Sequence, residues 1–159
     1  MLMGLILSWE KLSGWREGEQ KAGRRVVATN GCFDLLHVGH VRFLAEAKRH
    51  GDTLVVGVNG DKSVAELKGS GRPVNGEMDR AEVVAALGCV DAVVIFAEKR
   101  ATKFLEGVRP DIYVKGGDYQ KEQLDRDEVK AVEAGGGRVE ILRLTPGRST
   151  TAVLQKLKA

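Results

Sequence analysis

The apolar residues along this chain alternate between two patterns. Uninterrupted apolar runs, typical of strands buried on both faces of a sheet, occupy residues 26–29, 53–58, 92–96, 112–115 and 139–144. Apolar residues at three- and four-residue spacing, typical of amphipathic helices, occupy residues 39–50, 77–87, 102–108, 127–134 and 150–157. The alternation predicts an α/β fold, a doubly wound parallel sheet of five strands with helices on both faces.

The start of the chain precedes this alternation. Residues 8–21, which include Trp9, Leu12 and Trp15, are predicted to form a helix that packs on the sheet domain or on another subunit. We therefore expect residues 1–24 to form a helical appendage and residues 25–159 to form one domain, as the length of 159 residues indicates.

Composition narrows the class of protein. With 43% hydrophobic and 30% charged residues, the chain has no apolar stretch approaching the roughly 18 residues of a membrane span. The apolar start MLMGLIL lacks the flanks of a signal peptide, and the two cysteines, Cys32 and Cys89, do not form a CxxC pair. We expect a cytoplasmic protein without a membrane partner.

The charge pattern indicates the kind of ligand. Lys and Arg exceed Asp and Glu by 25 to 22, and the two signs are interspersed rather than gathered in a basic arm. This pattern disfavours nucleic acid as a partner. It favours a small phosphorylated molecule held by a few well-placed cations.

Two of the three histidines lie in the stretch TNGCFDLLHVGHVRFL, residues 29–44. His37 and His40 lie three residues apart at the predicted start of a helix, so their side chains share one face of its first turn. A helix N-terminus carries unpaired N–H groups and about half a positive charge, which attract phosphate. Gly39 leaves room for phosphate at the backbone. The stretch therefore predicts a phosphate pocket with two imidazole donors.

Five segments together resemble one enzyme family. They are TNGCFDLLHVGH at 29–40, VVGVNGD at 55–61, LKGSGRPVN at 67–75, VKGGDY at 114–119 and GRSTT at 147–151. The first resembles the HxGH signature of the nucleotidyltransferase superfamily, whose fold is Rossmann-like. The whole set resembles the heptose-1-phosphate nucleotidyltransferases, usually adenylyltransferases, which occur alone or fused to a sugar kinase.

The resemblance implies a reaction, a set of ligands and an assembly. The adenylyl group of ATP would be transferred to D-glycero-D-manno-heptose 1-phosphate, giving ADP-heptose, a lipopolysaccharide precursor, and pyrophosphate. Because the sugar phosphate is already largely ionised at neutral pH, no catalytic base is required. We expect Mg²⁺ to be held mainly by phosphate oxygens and water, with Asp34 nearby, and we assign no side chain as a metal ligand. We also expect a homodimer.

The resemblance, read with the positions of these residues after predicted strands, also implies roles for named residues. Catalytic roles are implied for His37, His40, Lys68 and Arg72. Contacts with ATP are implied for Thr29, Asn30, Gly31, Cys32, Phe33, Gly39, Lys115, Gly116, Gly117, Asp118, Ser149, Thr150 and Thr151. Contacts with the acceptor are implied for Asp34, Asn59, Asp61 and Arg80.

Several of these residues also have plainer explanations. Asp61 could cap a short turn at residues 62–66, and Arg80 could pair with Glu77 one helical turn away. Ser149 is an ordinary helix N-cap type, and capping is compatible with ligand binding.

Three other functions stay open on the sequence alone. The first is a CTP-dependent cytidylyltransferase acting on glycerol 3-phosphate or a related polyol or sugar phosphate. The second is a nucleotide-binding sensor without turnover. A dinucleotide-dependent oxidoreductase ranks last, because NGCFD rather than GxGxxG follows the first predicted strand.

Overall fold

The computed structural model describes residues 3–117 and 120–158. The strands are β1 (Leu5–Leu7), β2 (Val26–Gly31), β3 (Thr53–Asn59), β4 (Ala92–Phe96), β5 (Ile112–Gly116) and β6 (Arg138–Leu142). The helices are α1 (Trp9–Lys21), α2 (Val38–Lys48), α3 (Asp61–Lys68), α4 (Glu77–Ala85), α5 (Thr102–Val108), α6 (Arg126–Ala134) and α7 (Thr150–Lys158). A 3₁₀ turn, Lys121–Gln123, precedes α6.

The predicted doubly wound parallel sheet is confirmed, but the predicted number of strands is wrong. The sheet has six parallel strands in the order β1-β4-β3-β2-β5-β6. The additional strand is β1, which pairs with β4 from Leu5 opposite Ala92 to Leu7 opposite Val94. β1 is a three-residue edge strand with Leu5 and Ile6 exposed, so it lacks the long buried run by which the other strands are recognised.

Two other elements differ from the sequence-based expectation. An eight-residue helix, α3, replaces the short turn expected at residues 62–66, and it buries Val64. The last strand ends at Leu142 rather than at residue 144. The predicted N-terminal helix is confirmed as α1, whose Leu12 belongs to the hydrophobic core.

Helices cover both faces of the sheet with separate hydrophobic clusters. On one face, side chains of α1, α5 and α6, such as Leu12, Phe104 and Val132, pack on the strands. On the other face, Leu44 of α2 and Val84 of α4 do the same. Because both faces are covered, the strands are almost fully apolar and offer no ligand site along their length. Ligands must therefore bind at strand ends. No helix in the described part of the chain is long and apolar enough to cross a membrane.

Candidate functional site

The order of the strands reverses between β2 and β5. The chain proceeds from β2 through β3 to β4 and then returns to place β5 on the other side of β2. Pairing of β2 with β3 continues to Gly31 opposite Val58, whereas pairing of β2 with β5 stops at Ala28 opposite Tyr113. The carboxyl ends of β2 and β5 therefore diverge. A crevice at such a reversal is the usual ligand site of an open α/β sheet.

A cavity of about 450 Å³ fills this crevice, and we call it the switch-point cavity. Residues 29–33 line it from β2 and the turn that follows, and Lys115 and Gly116 line it from β5. Glu128 of α6 also lines it. The predicted contacts Thr29, Asn30, Gly31, Cys32, Phe33, Lys115 and Gly116 are thus brought together.

A second cavity, of about 250 Å³, lies beside the N-terminal ends of α2 and α7, and we call it the helix-end cavity. The predicted site residues that line it are His37, Gly39, Lys68, Ser149, Thr150 and Thr151. His40, Phe43 and Leu144 line both cavities. His40 therefore lies at the boundary between two adjoining binding spaces.

His37 and His40 form a reciprocal capping box at the start of α2. Nδ1 of His37 accepts a hydrogen bond from the Gly39 amide at 3.1 Å, and Nδ1 of His40 accepts one from the His37 amide at 3.4 Å. A neutral imidazole whose Nδ1 accepts carries its proton on Nε2. Each ring therefore presents an Nε2–H donor, and the rings stack with centroids 3.8 Å apart.

The electrostatic surroundings keep this pair neutral. Burial, and then the neighbouring His37 ring, lower the pKa of His40 to about 4. Burial also lowers the pKa of His37. Neutral rings avoid repulsion between two stacked cations while keeping both donors. The pair can thus donate to an anion at neutral pH without first binding a proton.

Gly39 has a different role from the one expected. A Cβ at this position would lie 2.9 Å from Cε1 and Nδ1 of His37 and 3.1 Å from Cβ of Arg148. The space above Gly39 is therefore taken by the His37 ring and Arg148 rather than left for phosphate. Its amide already donates to Nδ1 of His37.

The turn after β2 places an aromatic ring against His40. Phe33 adopts a left-handed backbone with a φ of 46° and is nearly buried. Its ring lies 5.1 Å, centroid to centroid, from that of His40. A Cβ on Gly31 would come within 2.9 Å of the Phe33 ring, so glycine is required there. The sequence NGCF thereby fixes the aromatic support of His40.

Asp34 organises the loop that follows α3. Its Oδ2 accepts from Nε of Arg72 at 2.5 Å, and its Oδ1 accepts from the amides of Val74 and Asn75. Burial raises the pKa of Asp34, but hydrogen bonds from Arg72 and these amides outweigh it and lower the pKa overall. Asp34 and Arg72 are therefore engaged with each other, and neither lines the switch-point cavity or the helix-end cavity.

Like Asp34, the other three predicted acceptor contacts, Asn59, Asp61 and Arg80, line neither cavity. Arg80 is 1% exposed and donates to the carbonyls of Asn75 and Cys32 and to Oδ1 of Asp61. Arg80 was expected to contact the acceptor, and the plainer explanation paired it with Glu77, but its ion pair is with Asp61. The buried Asn59 donates to the Ser63 hydroxyl and the Glu98 carbonyl. Arg80 thus joins the turn after β2, the segment before α4 and the start of α3, and Asn59 joins the end of β3 to the turn after β4.

The predicted ATP contact Gly117 lies just after the end of β5. Gly117 is buried, and its amide donates to the Leu142 carbonyl at 2.9 Å, which joins the end of β5 to β6. Asp118 lies outside the described residues. Burial raises the pKa of the Cys32 thiol, which disfavours the thiolate that a nucleophilic role would need.

Within the part of the chain that the structure describes, side chains do not form a magnesium site of protein ligands. Residues 3–117 and 120–158 contain no group of three or more His, Cys, Asp or Glu side chains suited to hold a metal ion. The carboxylate of Asp34, the nearest expected candidate, is already occupied by Arg72 and two amides.

Sequence reasoning missed several cavity residues. Arg148 lines the helix-end cavity and could have been found, because it lies within the GRSTT segment. Phe43 follows His40 by three residues on α2, so helical spacing places it on the same face. Glu128 gave no local signal, because it lies on a helix that reaches the cavity only through the tertiary fold.

Comparison with known proteins connects this geometry to bifunctional relatives. Bifunctional protein HldE of Geotalea uraniireducens is 48% identical over 153 residues, which are 96% of this chain and 31% of the relative. Bifunctional protein HldE of Pseudomonas aeruginosa (strain LESB58) is 48% identical over 96% of this chain and 32% of the relative. The chain therefore spans about a third of the length of these relatives.

Solved structures share the fold. The lipopolysaccharide core biosynthesis protein from Thermoplasma volcanium GSS1 is 33% identical, with a TM-score of 0.62 over 77% of this chain and 98% of that one. A pantoate-beta-alanine ligase from Francisella tularensis, 13% identical with a TM-score of 0.58 over 93% of this chain and 69% of that one, shares the fold alone. The cytidylyltransferase-like family model matches residues 28–155, from β2 to α7. Since this match includes both cavities and the histidine pair between them, the chain belongs to the cytidylyltransferase-like family.

Proposed function

We propose that this chain transfers the adenylyl group of ATP to D-glycero-D-manno-heptose 1-phosphate, releasing pyrophosphate and giving ADP-heptose. The observation that carries the proposal is the stacked pair of His37 and His40: both line the helix-end cavity, and His40 also lines the switch-point cavity. Two anionic substrates must be brought together at such a point, and neutral donors can serve both.

The reaction needs hydrogen-bond donors and cations positioned at the phosphates rather than a base that removes a proton. An oxygen of the sugar 1-phosphate attacks the α-phosphorus of ATP, a new P–O bond forms, and the bond to the β-phosphate oxygen breaks. The electron pair leaves with pyrophosphate. Negative charge grows on the oxygens of the α- and β-phosphates, and His37 and His40 donate hydrogen bonds to them.

The helix-end cavity is the proposed site of the triphosphate. Lys68 and Arg148 line it, and in the part of the chain that the structure describes neither forms an ion pair. The hydroxyl of Ser149 accepts from the Ala152 amide and caps α7. The first residues of α7, Thr150 and Thr151, line the cavity, so the positive end of this helix lies beside it. Uncompensated cations and a helix N-terminus suit a ligand with several negative charges. We propose that Mg²⁺ is held there by phosphate oxygens and water.

Two kinds of similarity support D-glycero-D-manno-heptose 1-phosphate as the acceptor. The five motif segments resemble the heptose-1-phosphate nucleotidyltransferases. The relative from Thermoplasma volcanium is named a lipopolysaccharide core biosynthesis protein, which fits an activated sugar for that polymer.

Release of pyrophosphate tests the proposal directly. The protein is incubated with ATP or CTP, each with D-glycero-D-manno-heptose 1-phosphate or glycerol 3-phosphate. We expect turnover with ATP and the heptose phosphate. Turnover with CTP and glycerol 3-phosphate would favour the cytidylyltransferase, and tight ATP binding without pyrophosphate release would favour the sensor.

A homodimer is the assembly we propose. Multi-angle light scattering on the purified chain tests it, and a mass near 17.2 kDa would contradict it.

A further inference from the structure

The turn between β2 and α2 holds Phe33 in an unusual backbone conformation. Among the described residues other than glycine, only Phe33 and Arg109 have a positive φ, of 46° and 47°. Arg109 is the C-cap of α5, where a left-handed residue is common. Phe33 ends no helix, and glycine or asparagine would adopt its conformation with less strain. A phenylalanine at this position therefore indicates that its ring is needed there.

The Phe33 ring fits closely between the backbone of β2 and His40. A Cβ on Gly31 would lie 2.9 Å from Cε2 of Phe33, so the ring lies against bare backbone. Its centroid is 5.1 Å from that of His40, with the two planes tilted by 57°, a usual geometry for an aromatic pair. His40 also stacks on His37 at 3.8 Å. The imidazole of His40 is thus packed against one ring from the turn and one from the start of its own helix.

Polar contacts hold the chain on both sides of Phe33. Nη1 of Arg80 donates to the carbonyl of Cys32, the residue before it. The carboxylate of Asp34, the residue after it, accepts from one guanidinium and two amides of the loop that follows α3. Arg80 and Asp34 are only 1% and 3% exposed. A strained residue persists where its surroundings fix the chain in this way. These contacts also connect Arg80 and Asp34, which line neither cavity, to the histidine pair.

The hydrogen bond of His40 does not fix its ring by itself. Nδ1 of His40 accepts from the His37 amide at 3.4 Å, which is longer than an ordinary N–H···N or N–H···O bond. A functional donor must be held within roughly 0.5 Å and 10–20° of its productive geometry. Packing against the nearly buried Phe33 ring supplies the restraint that this long bond lacks.

We propose that Phe33 is a positioning residue for His40: its ring, held by the left-handed turn over Gly31, restrains the imidazole so that Nε2–H donates to the phosphates of the bound nucleotide. The inference rests on the proposed function, because it takes the phosphates of ATP to accept that hydrogen bond. Phe33 then acts through His40, in addition to the contact with ATP that the resemblance implies for it.

Phe33→Leu and a matched control test this role kinetically. Leucine keeps a buried apolar side chain but removes the ring. Phe104→Leu is the control, because Phe104 is also buried and packed over a strand glycine, Gly57, but lies on the other face of the sheet and lines neither cavity. We expect both variants to lower the thermal midpoint. Only Phe33→Leu should lower kcat for pyrophosphate release, about tenfold to a hundredfold, with the KM for ATP near the parent value.

NMR of the histidine rings in ligand-free protein measures positioning without turnover. The signals of His40 are identified by their loss in His40→Asn. In the parent we expect the Nε2–H tautomer and almost no titration between pH 5.5 and pH 8, because burial, and then the neighbouring His37 ring, lower the pKa of His40 to about 4. In Phe33→Leu, water reaching the ring should raise this pKa into the measured range, and both tautomers should be present. Phe104→Leu should match the parent.

The two measurements give distinct outcomes. Parent-like His40 signals in Phe33→Leu overturn the proposal, and a fall in kcat alongside such signals would show that Phe33 acts on a substrate directly. Equal changes at His40 in Phe33→Leu and Phe104→Leu also overturn it, because they indicate a loss of packing throughout the fold. Absence of pyrophosphate release by the parent overturns the proposed function instead, and the NMR comparison then still decides whether Phe33 positions His40.

Discussion

The imidazole rings of His37 and His40 stack 3.8 Å apart because each one caps the helix start that carries both. The two amides of the capping box, those of Gly39 and His37, take the Nδ1 lone pairs. The Nε2–H groups are therefore free to face ligands. The capping box that starts α2 thus also determines which imidazole nitrogen donates.

Loss of either ring should reduce turnover without unfolding the protein. We expect His37→Ala and His40→Ala to lower kcat by ~10²–10³, the scale of one lost transition-state donor. The matched control is His50→Gln, because His50 contacts Glu140 and lines neither cavity. A His40→Ala enzyme within a few-fold of the parent would contradict the role of the pair.

The depressed pKa of His40 should appear in the dependence of stability on pH. The unfolded chain binds a proton at the ordinary histidine value of 6.5, whereas the folded chain binds it only at about 4. Between these values the unfolded state holds more protons, so the free energy of unfolding falls as pH falls through this window. Urea unfolding at pH 7.5 and pH 5 should show a larger loss in the parent than in His40→Asn. Equal losses would contradict the shift.

Gly39→Ala should lower activity while leaving stability nearly unchanged. Alanine favours a helix over glycine by about 1 kcal/mol, but its Cβ would lie 2.9 Å from the His37 ring. We expect the ring to move and kcat to fall on the order of tenfold to a hundredfold, with the thermal midpoint within a few degrees of the parent. Parent-like kcat would show that the position of His37 is not critical.

Arg80 should matter for stability rather than for substrate binding. Replacing this 1% exposed arginine with methionine removes its donors to Asn75, Cys32 and Asp61, and should cost about 3 kcal/mol in urea unfolding. Arg49→Met is the control, because Arg49 is exposed and should change stability by less than about 0.5 kcal/mol. A raised acceptor KM with unchanged stability would restore the role that the sequence gave Arg80.

Lys68 should contribute to ATP binding. Its side chain lines the helix-end cavity, and removal of one charged hydrogen-bond donor should raise the KM for ATP about tenfold in Lys68→Ala. Lys62→Ala, on the same helix but lining neither cavity, is the matched control. If both variants behave alike, Lys68 belongs to the solvated surface.

The sequence by itself determined the α/β alternation and the start of α2. Burial on both faces produces continuous apolar runs in the inner strands, and helix starts have local chemistry, so both are visible in short stretches. The motif that carries His37 and His40 was recognisable for the same reason: its geometry is set within four residues.

Only the tertiary structure decided which polar residues face ligands. The sequence analysis predicts a ligand contact for both Arg80 and Lys68. In the structure Arg80 is buried and donates to the Cys32 carbonyl, 48 residues away, whereas Lys68 lines a cavity. Glu128 reaches the site across the fold, and β1 joins the sheet through β4, more than 80 residues later. Such contacts depend on how distant segments pack, and no local pattern of residues records them.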